Sequence, residues 1–312
     1  KIGKKRVKEI SRSISKKKII YLFNSTEKNK SFGSVLKILN LLQKNNFNRN
    51  DCLLTVGGGI TGDTGGFAAS LFKRGIKFIN IPTTLLAQVD SSVGGKTGIN
   101  TIYGKNLIGS FYQPNLVITD TYFLKTLPKR EITCGYAEIL KHSLISDKKF
   151  FLYLDKNVQN ILKLKSPFIE KAIFKSCQIK RDIVQKDEKE NNIRKILNFG
   201  HTFAHAYEAS MTYSKKLNHG EAVILGIYSA LKFSLECKLM NLSDFSLIID
   251  HLNKAGLSYN VSRFFSKIDT KKIISYMRND KKNNSEKINL ILLKKIGSME
   301  LSKKFSEKKI RL

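Results

Sequence analysis

Residues 52–66, CLLTVGGGITGDTGG, join a short apolar run to a glycine-rich turn. The run at 52–56 is typical of a buried strand, and the glycines after it predict a turn that opens a helix. Backbone amides at the start of such a helix can approach a pyrophosphate, because glycine has no side chain to obstruct it. The spacing differs from G-x-G-x-x-G, so a tight turn that needs positive φ angles is an equal alternative.

The flanking sequence alternates between strand and helix patterns. The apolar run 18–23 predicts a strand, and residues 34–43 have helical apolar spacing. Residues 62–73 predict a helix, and runs 78–81 and 116–119 predict further strands. This alternation predicts a parallel sheet that is covered by helices on both faces.

The period of the apolar positions changes after about residue 126. Long helical periodicities dominate the rest of the chain, at residues 131–146, 169–186, 200–211, 221–239 and 243–255. The sequence therefore predicts an α/β domain over residues 1–126 and a mostly helical domain over residues 127–312.

The chain has 312 residues and a formal net charge of +31, with 56 Lys and Arg against 25 Asp and Glu. Lysine is spread along the whole chain, and no recognised nucleic-acid motif occurs, so we expect an anionic small substrate and no nucleic-acid partner. No apolar run reaches the length of about eighteen residues that a membrane helix needs. The lack of such a run favours no membrane partner. The four cysteines are scattered without metal or disulfide spacing, which favours a reducing cytoplasm.

A second glycine-rich cluster, residues 90–98, superficially resembles a P-loop. Asp90 stands where G-x-x-x-x-G-K-[ST] requires its first glycine, which excludes a nucleotide hydrolase. Lys96, Lys105 and Asn106 remain, with Asp90, as charged or polar groups on a backbone that we predict to be flexible. Solvated loop charge is the simpler interpretation of these residues taken alone.

Three of the five histidines fall within nineteen residues. His201 and His205 are four apart, on one face of a predicted helix, and His219 opens the next helix. Such a group can bind a metal or transfer protons. A carboxylate from another helix often completes such a ligand set, and Glu138 is a candidate. His142 lies four residues after Glu138 and could compete as a ligand, a choice that the spacing leaves open.

Together these motifs resemble the 3-dehydroquinate synthase family of sugar phosphate cyclases. The match runs collinearly from about residue 25 to about residue 297. Its blocks are GGGITGD at 57–63, Arg74-Gly75, PTTLLAQVDSSVGGKT at 82–97, GKN at 104–106, Ala137-Glu138 with Lys141, residues 194–205, HGE at 219–221 and DKK at 280–282.

The resemblance implies a fold, an activity and two cofactors. The fold would be an α/β N-terminal Rossmann-like dinucleotide-binding domain followed by a mostly α-helical metal-binding C-terminal domain, in a homodimer. The activity would be a carbon-oxygen lyase reaction of the shikimate pathway, from 3-deoxy-D-arabino-heptulosonate 7-phosphate to 3-dehydroquinate and phosphate. The cofactors would be NAD, recycled in each turnover, and a divalent metal, zinc or else cobalt.

The resemblance also implies roles for individual residues. The metal ligands would be Glu138, His201 and His219, with His142 a bystander. NAD would contact Glu27, Lys30, Gly59, Ile60, Thr61, Gly62, Asp63, Thr83, Thr84, Lys96, Lys105, Phe123 and Thr126. Substrate binding and catalysis would use Asp90, Lys96, Lys105, Asn106, Lys141, Lys180, Arg194, Asn198, His205, one of Lys281 and Lys282 with Lys281 preferred, and Arg74, which would reach the neighbouring subunit.

The chain departs from the family pattern in three places. Ala204 replaces a usual glycine between the two helical histidines. The usual Asp-Gly before Glu27 is Ser25-Thr26. We also expect about fifty residues of the family's first strand and helix to be absent from the start, which bears on adenosine binding.

Three other functions compete with this prediction. Another sugar phosphate cyclase would share the fold, but Arg194 and the lysines favour an acidic substrate. A metal-dependent polyol dehydrogenase would release NADH, and a non-enzymatic basic binding protein would release no phosphate.

Overall fold

A computed structural model describes residues 4–214, 216–278 and 287–310. The chain folds into two compact units, Lys1–Thr126 and Leu127–Leu312. The predicted substrate residues Lys281 and Lys282 lie outside the described residues.

The first unit is built around a parallel sheet. Its described helices are α1 (Lys4–Arg12), α2 (Phe32–Lys44) and α3 (Gly59–Leu71), and its strands are β1 (Cys52–Gly57), β2 (Lys77–Pro82), β3 (Lys96–Thr101), β4 (Gly104–Phe111) and β5 (Leu116–Val117). Strands β1, β2 and β5 form a three-stranded parallel sheet in that order. The predicted parallel sheet is thereby confirmed.

Glycines let α3 lie close against this sheet. A Cβ atom on Gly65 would come within 2.2 Å of the Thr55 side chain on β1, and one on Gly62 within 3.2 Å of Asn80 on β2. Thr55 in turn donates a hydrogen bond of 2.9 Å to Asn80. The glycines of residues 57–66 therefore serve helix packing, besides shaping the turn at the end of β1.

The prediction of a flexible loop around Lys96, Lys105 and Asn106 is wrong, because β3 and β4 form an antiparallel hairpin there. Gly98 and Gly109 face each other in the pairing, and a Cβ on Gly109 would lie 2.0 Å from the carbonyl oxygen of Thr97. Close pairing, rather than flexibility, explains these glycines.

The strand predicted at residues 18–23 is not formed. Ile20 and Leu22 are instead exposed. An apolar run becomes a strand only when a neighbouring strand exchanges hydrogen bonds with it, and no strand of the described residues pairs with this one.

The second unit is mostly helical, as predicted. Its described helices are α4 (Lys129–Ser146), α5 (Lys148–Leu162), α6 (Phe168–Lys186), α7 (His201–Ser210), α8 (His219–Glu236), α9 (Leu242–Ala255), α10 (Thr270–Arg278) and α11 (Glu307–Ile310). The strands β6 (Ile288–Lys295) and β7 (Ser298–Phe305) form an antiparallel hairpin. Among the described helices, none has the length and apolarity that crossing a membrane requires.

Helix α4 is the centre of this unit. Nearly all of its residues from Ile132 to Ile145 are buried, including the polar Glu138, Lys141 and His142. Helices α5, α6 and α8 contact α4. Charged groups at such a buried position carry a large desolvation cost unless they are paired, so these side chains mark a site rather than a solvated face.

Candidate metal centre and cofactor residues

Three side chains of the second unit converge on one point. The Nε2 atoms of His201 and His219 lie 3.5 and 3.7 Å from Oε1 of Glu138. One ligand atom from each of the three residues lies within 4.8 Å of the other two. The other carboxylate oxygen of Glu138 forms an ion pair with Lys141. The chain thus brings a buried carboxylate and two imidazoles together from three helices.

Hydrogen bonds fix which nitrogen each imidazole presents. Nδ1 of His201 lies 3.2 Å from the carbonyl oxygen of Phe199, and Nδ1 of His219 lies 3.2 Å from Oε2 of Glu208. Both neighbours accept hydrogen bonds, so Nδ1 carries the proton in each ring. Nε2 is then the nitrogen that faces Glu138 in both histidines and the one left to bind a metal, which is the arrangement of a metal-ligating histidine.

The spacing of these atoms fits a divalent metal. Two donors at about 2.1 Å from a tetrahedral metal are roughly 3.4 Å apart, close to the separations of Glu138 from the two imidazoles. Oε1 of Glu138 is buried and accepts no hydrogen bond from the described residues. A buried carboxylate oxygen without a donor is costly, and a cation would satisfy it.

The electrostatics suit the same role. Burial alone would raise the pKa of Glu138, but the Lys141 ammonium and the two imidazoles hold that pKa well below its ordinary value. Burial, assisted by the Lys141 charge, holds the pKa of His201 well below its ordinary value. Burial alone would lower the pKa of His219, but its contacts with Glu138 and Glu208 raise that pKa to about 10. Metal binding at His219 would therefore displace a proton.

Two close helix contacts hold the three ligands in place. A Cβ on Gly220 would lie 2.2 Å from Cα of Cys134, so the start of α8 rests directly on α4. A Cβ on Gly226 would lie 2.2 Å from the carbonyl oxygen of Gly200, so α8 also touches the start of α7. Ala204 is fully buried at this second contact, and its Cβ lies 3.1 Å from the position of such a Gly226 Cβ.

A capping box defines where α8 begins. The Asn218 side chain accepts a hydrogen bond of 2.8 Å from the Glu221 backbone, and the Glu221 carboxylate accepts one of 2.9 Å from the Asn218 backbone. Arg130 on α4 also binds the Glu221 carboxylate, through donors at 2.7 and 2.6 Å. His219 is therefore fixed at the first residue of α8.

The other two predicted histidines, His205 and His142, differ in exposure and in contacts. The His205 ring centroid lies 5.4 Å from that of His201, and His205 is exposed. His142 is fully buried, and its Nδ1 lies 2.6 Å from the Ser176 hydroxyl oxygen on α6. Proton transfer by His205 stays a prediction, while the contact of His142 with Ser176 ties α4 to α6.

The remaining predicted residues of the second unit are polar, and two of the three are buried. Lys180 on α6 is buried, like Lys141. Arg194 is also buried; its guanidinium donates to the carbonyl of Glu188, and its backbone amide donates to Asp187 across 3.0 Å. The Asn198 amide donates to the Glu190 carboxylate. These contacts fix the loop that leads into α7.

Sequence reasoning missed Glu208. This residue is buried on α7 and lies seven positions after His201. Seven residues are almost two helical turns, so both side chains lie on one face of α7. That spacing could have identified Glu208 as a neighbour of the predicted ligands.

In the first unit, hydrogen bonds connect several predicted cofactor residues. Nζ of Lys30 lies 2.5 Å from the Asp63 carboxylate and 2.5 Å from the Asn106 side-chain oxygen. Asn100 accepts a hydrogen bond of 3.1 Å from the Asn106 backbone and donates one of 2.7 Å to the Glu27 carboxylate. Burial raises the pKa of Asp63, and the charge of Lys30 offsets part of that effect.

The glycine turn lies at the carboxyl ends of two adjacent parallel strands. The Gly57 carbonyl at the end of β1 accepts a hydrogen bond of 2.9 Å from the backbone of Thr83, just after β2. A Cβ on Gly58 would come within 3.2 Å of Thr84. Helix α3 begins at Gly59, so its free amides lie at the edge where dinucleotides bind in sheets of this class.

The other predicted residues of the first unit are spread along it. Ile60, Thr61 and Gly62 lie in the first turns of α3, and Arg74 is exposed after that helix. Asp90 is half-buried after β2, Lys96 begins β3, and Lys105 lies on β4. Phe123 and Thr126 lie in the helical turn Thr121–Thr126. Their roles toward NAD and substrate stay predictions.

Family comparisons cover most of the chain. A model described as 3-dehydroquinate synthase N-terminal matches residues 20–134, and one described as 3-dehydroquinate synthase C-terminal matches residues 135–283.

Individual relatives extend this similarity. A 3-dehydroquinate synthase of Pelagibacter ubique is 61% identical over 312 residues, which cover 100% of this chain and 85% of that protein. A 3-dehydroquinate synthase of Bartonella quintana is 45% identical over 282 residues, 90% of this chain and 74% of that protein. The solved structure of a 2-deoxy-scyllo-inosose synthase with carbaglucose-6-phosphate, NAD+ and Co2+ has a TM-score of 0.85 at 29% identity, covering 94% of this chain and 81% of that one.

Proposed function

The chain belongs to the 3-dehydroquinate synthase family, and from this premise we propose that it converts 3-deoxy-D-arabino-heptulosonate 7-phosphate to 3-dehydroquinate and inorganic phosphate. It is a carbon-oxygen lyase of the shikimate pathway, and its cofactors are NAD and a divalent metal. The observation that carries the proposal is the convergence of Glu138, His201 and His219 in a chain that matches both family models.

Two sets of residues would hold the cofactors. A metal bound by Glu138, His201 and His219 would supply Lewis acidity to the substrate hydroxyls, and NAD bound at the start of α3 would accept and return a hydride. Lys141 neutralises one oxygen of Glu138 and leaves the other toward the imidazoles. Zinc and cobalt both suit two imidazoles and a carboxylate.

The substrate class follows from charge. A phosphorylated sugar acid carries a carboxylate and a phosphate, and both bind well to desolvated cations. Lys180 and Arg194 are buried cations of the second unit. We propose that they bind the substrate's anionic groups, and that Asn198 and His205 bind hydroxyls and move protons.

We also propose a homodimer in the cytoplasm. Its support is the family membership, together with exposed apolar side chains at Ile102, Tyr103, Leu107 and Ile108 on the β3–β4 hairpin. The four cysteines are free thiols, as is usual in a reducing compartment. Mass photometry of the protein would give the mass of one chain instead of two if the dimer assignment is wrong.

One assay tests the activity. The protein is incubated with 3-deoxy-D-arabino-heptulosonate 7-phosphate and catalytic NAD, and both phosphate and absorbance at the NADH band are followed. We expect continuous phosphate release, dependent on NAD, with no net NADH. Steady NADH growth would identify a polyol dehydrogenase. Phosphate release from another sugar phosphate alone would identify a different cyclase.

A further inference from the structure

Glu208 contacts a predicted metal ligand without being one of the three. Its Oε2 lies 3.2 Å from Nδ1 of His219, on the side of the ring opposite to Nε2. Nε2 of the same ring lies 3.7 Å from Oε1 of Glu138. The imidazole of His219 is thus bracketed by two carboxylates, one on α4 and one on α7.

We infer that Glu208 is a positioning residue of the metal centre, which holds the His219 imidazole with Nε2 toward Glu138. The inference rests on the metal role proposed above. A neutral imidazole can carry its proton on either nitrogen, and its ring can turn over about the Cβ–Cγ bond. A carboxylate beside Nδ1 selects one tautomer and one ring orientation.

The ring orientations of His201 and His219 are held in different ways. Nδ1 of His201 is held by a backbone carbonyl, and the His201 side chain is 12% exposed. The His219 side chain is 32% exposed, so packing confines its ring less. The Glu208 side chain, by contrast, is 9% exposed and lies on α7. The ring orientation of His219 therefore depends on a side chain, Glu208, whereas that of His201 is held by the backbone.

A purely structural role for Glu208 makes a different prediction. The contact joins α7 to α8, and its loss could simply loosen that helix pair. Tyr207, the preceding residue, joins the same two helices through a contact of 2.8 Å with the Ser229 hydroxyl. Tyr207→Phe removes that contact without touching His219, which makes it the matched control.

The first experiment measures the zinc dissociation constant by competition with a chromophoric chelator. We expect Glu208→Ala to weaken zinc binding about 10- to 100-fold, the range for loss of an outer partner of a ligating histidine. Glu208→Gln keeps an oxygen acceptor for Nδ1–H and should fall near the lower end of that range. Tyr207→Phe should bind zinc as the wild type does.

Zinc affinity equal to the wild type in Glu208→Gln, or an equal loss in Tyr207→Phe, would overturn the inference. Glu208→Gln preserves the volume of the buried side chain, so it decides the question even if Glu208→Ala does not fold. The visible spectrum of the Co2+-loaded variant should keep its tetrahedral signature, because the three ligands remain.

A double-mutant cycle separates this inference from the metal assignment itself. In a His219→Ala background, Glu208→Gln should cause no further loss of zinc affinity, because the residue it positions is gone. Independent losses would overturn the positioning role. If His219→Ala alone binds zinc as tightly as the wild type, the proposed metal site fails; if His219→Ala loses zinc and the Glu208 variants do not, only the inference about Glu208 fails.

Discussion

The hydroxyl of Tyr136 lies 2.9 Å from Nε2 of His251 in the interior of the second unit. Nδ1 of His251 lies 3.1 Å from the Asp155 carboxylate, which also accepts a hydrogen bond of 2.8 Å from Lys254. The Asp155 contact places the His251 proton on Nδ1, so Tyr136 donates to Nε2. This network connects α4, which carries Glu138, to α5 and α9.

The network predicts a pH-dependent stability. Burial lowers the pKa of His251 below its ordinary 6.5, although Asp155 opposes that effect. The unfolded chain therefore takes up the proton first as the pH falls. The stabilisation is complete above pH 6.5 and is lost as the pH falls from there through the folded pKa, at up to about 1.4 kcal/mol per pH unit.

Urea unfolding at pH 8 and pH 5.5 checks this prediction. The free energy of unfolding should drop more for the wild type than for His251→Gln over this interval. Tyr136→Phe, which keeps the imidazole, should retain the pH dependence while losing about 1–3 kcal/mol at both pH values because Nε2 is left without a donor. Equal pH dependence in the wild type and His251→Gln would contradict the assignment.

Metal content should depend on three residues and not on a fourth. Glu138→Ala, His201→Ala and His219→Ala should each lose stoichiometric zinc after dialysis, with a larger loss of affinity than an outer partner causes. His142→Ala should keep its zinc, since His142 binds Ser176. Elemental analysis of the dialysed proteins gives the answer, and full zinc occupancy in all three ligand variants would exclude this site.

Removal of a buried cation should impair substrate binding. Lys180→Gln should lower kcat/KM about 10- to 100-fold, because a hydrogen bond to a charged group contributes roughly 1.5–3 kcal/mol. Lys171→Gln, an exposed position on the same helix, is the control and should have the wild-type value. Steady-state phosphate release measures both, and equal kinetics for the two variants would show that Lys180 does not contact the substrate.

The cluster formed by Lys30 with Asp63 and Asn106 should contribute to NAD binding. Lys30→Gln removes the cation that contacts both Asp63 and Asn106, and we expect the dissociation constant of NAD to rise by about tenfold or more. Lys28 is exposed two residues earlier, so Lys28→Gln should leave NAD binding unchanged. Isothermal titration calorimetry with NAD compares them. Unchanged affinity in Lys30→Gln would mean that the cluster only stabilises the fold.

The sequence predicted most helices and the parallel sheet because their apolar periods are local signals. Strand pairing is not a local signal. Residues 18–23 have the composition of a strand but form none, whereas the backbone around Lys96 and Lys105, predicted to be flexible, forms a hairpin. The family, its activity and its cofactors were predicted correctly from several motifs in a fixed order. Such a set is more specific than the apolar periodicity of a single segment.

The candidate metal centre was partly predictable for the same reason. His201 and His219 stand out because histidine is rare in this chain. Glu138 needed the family resemblance, because no spacing relates it to residues of another helix. Glu208 was missed because a glutamate on a helix is usually a solvated charge. Its position beside Nδ1 of His219 reveals the difference.

Because of the contact between Gly220 and Cys134, substitutions at positions other than the ligands can also disrupt the metal centre. A single methyl group at Gly220 would collide with the α4 backbone, and relief of that collision would carry His219 away from Glu138. Many changes that alter no ligand can therefore abolish metal binding. A screen for metal-deficient variants would recover helix-contact positions such as Gly220, Gly226 and Gly200 beside the ligands themselves.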